Sequence, residues 1–204
     1  MSAAVAVATI WAGNPSAFAL NGTSWPQPQT FFVVNAANLD LASDAADAAV
    51  RAGAAVWQQQ SGAFRFAYAG PSTLAVTGND AINLVLFRNA SSGSAIATAY
   101  WWSSGSRIID ADIVFWDAAF KFFAGSSGCA GGFYIEDIAA HEFGHTLGLG
   151  HSTSPAATMY PSAASCDTGL RALDADDIAG VRALYPSTLP PTPPTGLRIV
   201  GVGP

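Results

Sequence analysis

Charge is scarce in this chain. Only 11% of its 204 residues are Asp, Glu, Lys or Arg, against about 25% in average proteins. The eight basic residues form no run, and against fourteen acids they leave a net charge of −6. Nucleic acid and anionic membrane surfaces are therefore poor partners. Half of the residues are hydrophobic and the mean hydropathy is +0.30, yet no apolar stretch approaches the roughly 20 residues that span a bilayer. A transmembrane segment is not expected. With two cysteines, Cys129 and Cys166, a four-thiolate metal site is excluded. In an oxidising compartment the pair would form one disulfide, and otherwise two free thiols. Low charge fits a secreted protein.

Along the chain, residues 1–19 hold a short apolar stretch and the small-x-small pattern Ala17-Phe18-Ala19 without a basic start. They read either as a signal-peptide remnant or as an amino-terminal arm. At the other end, five of the twelve prolines fall between Pro186 and Pro194. Residues 187–204 therefore read as an extended linker, leading either into a further β-rich domain or into a frayed tail. The domain proper is 20–186. Its pattern predicts a strand at 31–34 and then a helix capped by Asn38 or Asp40. That helix would bury Leu41, Ala45, Ala48, Ala52 and Val56 and end near Gln60 and Gly62. Strands follow at 64–68, 82–87, 96–102 and 107–115, with helices at 134–147 and 174–185, the latter stopped by Pro186. The fold class is α+β, with a mixed five-stranded twisted sheet and about three helices.

All three histidines lie within one eleven-residue segment, HEFGHTLGLGH, from His141 to His151. On a helix His141 and His145 project from one face a turn apart, where both imidazoles can reach a single tetrahedral zinc. Gly148, lacking a Cβ, lets the helix end in a tight turn that returns His151 as a third ligand. Three ligands leave a fourth position for water, and such an open zinc site predicts hydrolysis. Glu142 is placed to activate that water as a general base and to hand the proton to the departing amine.

Eight residues beyond His151 stands Met159, within Ala157-Thr158-Met159-Tyr160-Pro161. HExxHxxGxxH followed by a methionine turn resembles the metzincin zinc proteases. Ser152, Met159-Tyr160-Pro161 and the closing LDADDIAGVRALY from Leu173 to Tyr185 resemble the matrixins, the matrix metalloproteinase family, and its bacterial secreted members in particular. The resemblance implies a zincin-like catalytic domain and secreted endopeptidase action on extended protein segments in the extracellular space. It implies an active-site helix beneath a sheet whose antiparallel edge, here 96–102, borders the substrate cleft, and Met159 as an apolar floor under the zinc ligands. It further implies that Asp176 and Asp177 tie the last helix to the methionine turn and the mature amino end.

The sequence also departs from the animal members. No histidine remains for their second, structural zinc, no cysteine precedes Cys129 to act as a propeptide switch, and their Pro-x-Tyr pocket wall reads Pro161-Ser162-Ala163. Asp110, Asp112, Asp117, Glu136 and Asp137 stand where related enzymes often hold calcium, but such scattered carboxylates are more often solvated or helix-capping than metal-bound, and no calcium ligands are assigned. Asn21 and Asn89 match the glycosylation pattern. The expected protein is a monomer acting on proteins or peptides. The competing readings are a catalytically silent zinc-containing binding module of a larger surface protein and a zinc hydrolase of small peptides.

Overall fold

The computed structural model describes residues 17–186. Residues 1–16 of the signal-or-arm segment and the linker at 187–204 lie outside the described residues. Five strands form the main sheet: β1 (Gln29–Asn35), β2 (Arg65–Pro71), β3 (Leu84–Arg88), β4 (Ala97–Ser104) and β5 (Arg107–Trp116). Their order is β2-β1-β3-β5-β4. All neighbours are parallel except β4, which runs antiparallel to β5. A mixed five-stranded sheet with three helices is the expected α+β class, and the antiparallel edge is the expected one.

The sheet is covered on both sides, which explains why β3 and β5 read as nearly continuous apolar runs. Phe32, Val34, Val85, Phe87, Ile113 and Phe115 pack in the main core with the helices. Leu84, Leu86, Val114 and Trp116 alternate with them and form a second cluster. Helix α1 (Ser43–Val56) connects β1 to its parallel neighbour β2, the crossover that parallel pairing requires.

Two expectations about α1 are corrected. Its N-cap is Ala42, without a side-chain hydrogen bond. Asn38 instead accepts the amides of Asp40 and Leu41, while Asp40 accepts that of Phe122. The buried face is Ala46, Ala49, Val50, Gly53, Ala54 and Val56, rotated from the expected one, with only Val56 in common. The helix is so rich in alanine that hydrophobicity does not choose its face; close packing does. A Cβ on Gly53 would stand 2.6 Å from both Ala139 Cβ and Glu136 O, so this is the line along which α1 approaches α2 (Ile135–Leu147). Beyond α1 a single π-helical turn, Trp57–Ser61, ends at Gly62, as the sequence predicts. The Trp57 indole donates to Ala140 O at 2.9 Å, locking the two helices together.

A short parallel pair, β6 (Phe122–Phe123) with β7 (Phe133–Tyr134), was not expected from the glycine-rich loop between them. Cys129 in that loop is joined to Cys166 beyond the methionine turn, with Cα atoms 5.5 Å apart. The bridge closes a loop of 37 residues in sequence around the histidine segment, worth about 4 kcal/mol on chain-entropy grounds. Helix α3 (Ala175–Leu184) starts at a full capping box between Asp174 and Asp177. The amino-terminal residues Ala17 to Asn21 lie along the segment after α2. Gly150 N donates to Ala19 O at 2.8 Å, and Asn21 N to Gly148 O at 2.9 Å.

Candidate metal centre

Helix α2 carries His141 and His145, one turn apart. It ends at Gly148, whose φ of +110° lies in the left-handed region where a side chain is strained. That turn sends the chain back toward the same face and delivers His151. The ligand-capable atoms of the three rings lie within 4.8 Å of one another, the one such group among the described residues. His145 Nε2 is 3.1 Å from His141 Nε2 and 3.2 Å from His151 Nε2.

His141 Nδ1 faces Thr158 O at 2.7 Å, and His145 Nδ1 faces Leu149 O at 2.9 Å. A carbonyl oxygen can only accept, so each Nδ1 carries the proton and, in the neutral ring, each Nε2 is a bare lone pair. Burial, reinforced by the neighbouring histidines, pushes His141 down to about 3. Burial likewise lowers His145 to about 4 and also lowers His151. The rings stay neutral in the pH range where metal binds. Bare lone pairs converging at such separations repel unless a cation lies between them, and the spacing suits zinc, whose Zn–N bonds of about 2.0–2.1 Å put tetrahedral nitrogens roughly 3.3 Å apart. The donor set fits zinc, with the backbone carbonyls as orienting partners.

Glu142, on the same helix, is 7% exposed. Burial pushes its carboxyl up to about 8, opposed by the Ala99 backbone N–H on β4. A carboxyl that exchanges its proton near neutral pH thus borders a cleft of about 760 Å3, shared by the three histidines, Ala97 and Ala99 of the edge strand, and Ile138. Ala163, the departure from the usual pocket wall, lines it as well.

Met159 is buried beneath this helix, where a Cβ added to Gly144 would meet its sulfur and would also lie 2.6 Å from Trp57 Cζ2. The methionine turn hangs from α3. Asp177 accepts the amides of Thr158 at 2.7 Å, Met159 at 3.1 Å and Asp174 at 2.9 Å. Asp176 accepts Ser152 Oγ at 2.7 Å and the Ala17 amide at 2.8 Å. The last helix therefore reaches the turn and the amino-terminal segment through these two acids.

The other carboxylates go elsewhere. Asp110 accepts the amides of Asp80 and Ala81, and Asp112 those of Gly78 and Leu84, so both fasten the loop before β3. Asp117 accepts the Leu39 amide, leaving its Oδ1 buried without a partner. Glu136 and Asp137, in the first turn of α2, pair with Arg171. Of the two glycosylation-pattern asparagines, Asn21 turns inward to Thr23 and the His145 carbonyl. Sequence reasoning missed Arg171, which no local pattern ties to acids 34 and 35 residues away. It also missed the carbonyls of Thr158 and Leu149 and the Ala99 amide, because backbone groups leave no mark in a sequence.

Comparison with known proteins agrees with this geometry. The profile described as Matrixin matches residues 24–186. The chain is 51% identical to neutrophil collagenase of Homo sapiens over 59 residues, 29% of this chain and 13% of that protein. It is 50% identical to the hatching enzyme of Paracentrotus lividus over 62 residues, 30% of this chain and 10% of that protein. It is 48% identical to matrix metalloproteinase-18 of Xenopus laevis over 59 residues, 29% of this chain and 13% of that protein. The matches thus span a tenth to an eighth of the length of these relatives. The profile, by contrast, runs from before β1 to the end of α3, through histidine segment, methionine turn and closing acids alike, and this chain belongs to the matrixin family.

Proposed function

We propose that the protein is a secreted zinc endopeptidase that hydrolyses extended segments of protein substrates. The observation that supports this best is the convergence of three imidazole rings, two of them with Nε2 left bare by their Nδ1 contacts, beside a buried carboxyl in a cleft bordered by a sheet edge. His141, His145 and His151 would hold the metal. Zinc, when bound, supplies Lewis acidity that lowers the pKa of water and polarises a carbonyl. Glu142 takes the proton from the attacking water and returns it to the departing amine. Strand β4 is paired on one side only, so its free edge can add an extended peptide through main-chain hydrogen bonds and lay the scissile bond along Glu142. Gly148 shapes the turn, and Met159 floors the ring cluster. Among the described residues no helix is long and apolar enough to cross a membrane, and the Cys129–Cys166 bridge suits an oxidising, extracellular location.

The test is digestion of an unfolded protein by the zinc-loaded protein. Chelation is expected to abolish cleavage and added zinc to restore it, with one zinc per chain. Cleavage that survives complete zinc removal would overturn the proposal. Full zinc occupancy with no cleavage would move it to the silent binding module.

For calcium we infer a narrower role, at Asp117. Its Oδ1, like those of Asp110 and Asp137, is buried without a partner; Asp137 already pairs with Arg171, whereas at Asp117 burial, together with the charge of Asp40, pushes the carboxyl up. A cation there would relieve both. Calcium added to zinc-loaded protein is expected to raise Tm in the wild type and not in Asp117→Asn; an unchanged wild-type Tm removes calcium from the account.

A further inference from the structure

Ala97, Ala99 and Trp101 alternate on one face of β4, the period of a strand. All three line the cleft; from the other face Thr98, near the start of the strand, borders it as well, but Tyr100 and Trp102 do not. Two small residues followed by an indole are an uneven pavement. The alanines leave room for a peptide to approach the edge, while Trp101 stands up from it with 37% of its surface exposed. The strand register locates it. Ala97 pairs with Phe115 and Trp101 with Ala111, so Trp101 is at the far end of the cleft from Phe120 and Phe133, which line it where the chain leaves β5. Ala99, whose amide faces Glu142, lies between. At about 3.3 Å rise per residue, Trp101 is roughly two residues along the edge from the reacting bond.

We infer that Trp101 is a specificity-determining residue of this peptidase: it stacks an aromatic side chain of the substrate two residues from the scissile bond, on the side remote from Phe120 and Phe133. A substrate added as a strand presents alternate side chains toward the cleft floor, and the one two residues from the bond meets the indole. An aromatic ring there gains an offset-stacked or edge-to-face contact, where an alanine leaves the indole in water. The inference rests on the endopeptidase reading above.

The experiment uses internally quenched peptides that are identical except for Phe or Ala two residues to either side of the cleaved bond. With zinc-loaded wild type, kcat/KM is expected to favour Phe roughly 3- to 10-fold on one side of the bond. That ratio should fall to about 1 in Trp101→Ala, persist in Trp101→Phe, and be unaffected by Tyr100→Ala, an equally exposed aromatic that does not line the cleft. A wild-type ratio near 1, or a preference that survives in Trp101→Ala, overturns the inference. Binding of the same peptides to zinc-loaded Glu142→Ala protein separates this from the endopeptidase reading. If nothing is cleaved but Phe still binds more tightly and Trp101→Ala removes the difference, the subsite stands and the enzyme reading fails. Equal binding of both peptides sinks the subsite.

Discussion

Glu142→Ala is expected to leave one zinc bound per chain and to lower kcat/KM by about 10²- to 10⁴-fold, the range that a positioned general base supplies. Zinc retention follows because Glu142 is not among the three rings whose nitrogens converge. The loss of rate follows because no other carboxylate lines the cleft to take its place. The conservative Glu142→Gln separates chemistry from packing. It keeps the volume of a side chain that is 7% exposed and removes only the ability to accept and return a proton. Both variants should bind zinc and fold, Glu142→Gln with a Tm close to wild type, and both should show that same loss of kcat/KM. Zinc content, Tm and kcat/KM measured on the same preparations check this. A Gln variant with wild-type kcat/KM would strip Glu142 of its role, whereas loss of zinc together with activity would make it a support of the metal centre instead.

Asp177→Ala carries the largest expected effect on stability. Its carboxylate accepts three backbone amides, those of Thr158, Met159 and Asp174, and is 1% exposed. Each buried N–H left without a partner costs about 1–3 kcal/mol, so with partial relaxation the variant should lose on the order of 3–5 kcal/mol. That is a large share of the roughly 5–15 kcal/mol that a domain has. The damage should also reach the metal. Thr158 lends its carbonyl to His141 Nδ1, so a loosened turn frees that ring and zinc affinity drops. Asp177→Asn retains acceptor oxygen and should fall between. Denaturant unfolding of the zinc-free proteins reads the first effect and competition for zinc with a chelator reads the second. Wild-type stability in Asp177→Ala would mean that the turn holds itself without α3.

These two residues differ in how far the amino-acid order announces them. Glu142 lies between His141 and His145, and the spacing of a helix alone places all three, as it places Gly148 at the turn. Such relations span a few residues and are governed by local backbone geometry, so they are legible in the amino-acid order itself. The alternation of apolar residues likewise gave the strands and, with the closing helix, the α+β class. The buried face of α1 was not legible, because alanine on every side leaves the choice to the approach of Ala139 and Glu136 against Gly53. Nor was the pairing of Arg171 with Asp137, which depends on two distant segments meeting. The orienting carbonyls of Thr158 and Leu149, the Ala99 amide and the placing of Trp101 on the cleft side of a free edge belong to the same group. Short-range order selects the chemistry of the metal centre; the contacts that aim it, anchor it and give it a substrate-facing wall arise only when the sheet, the methionine turn and α3 close on one another, because they join backbone groups and side chains that no local pattern links.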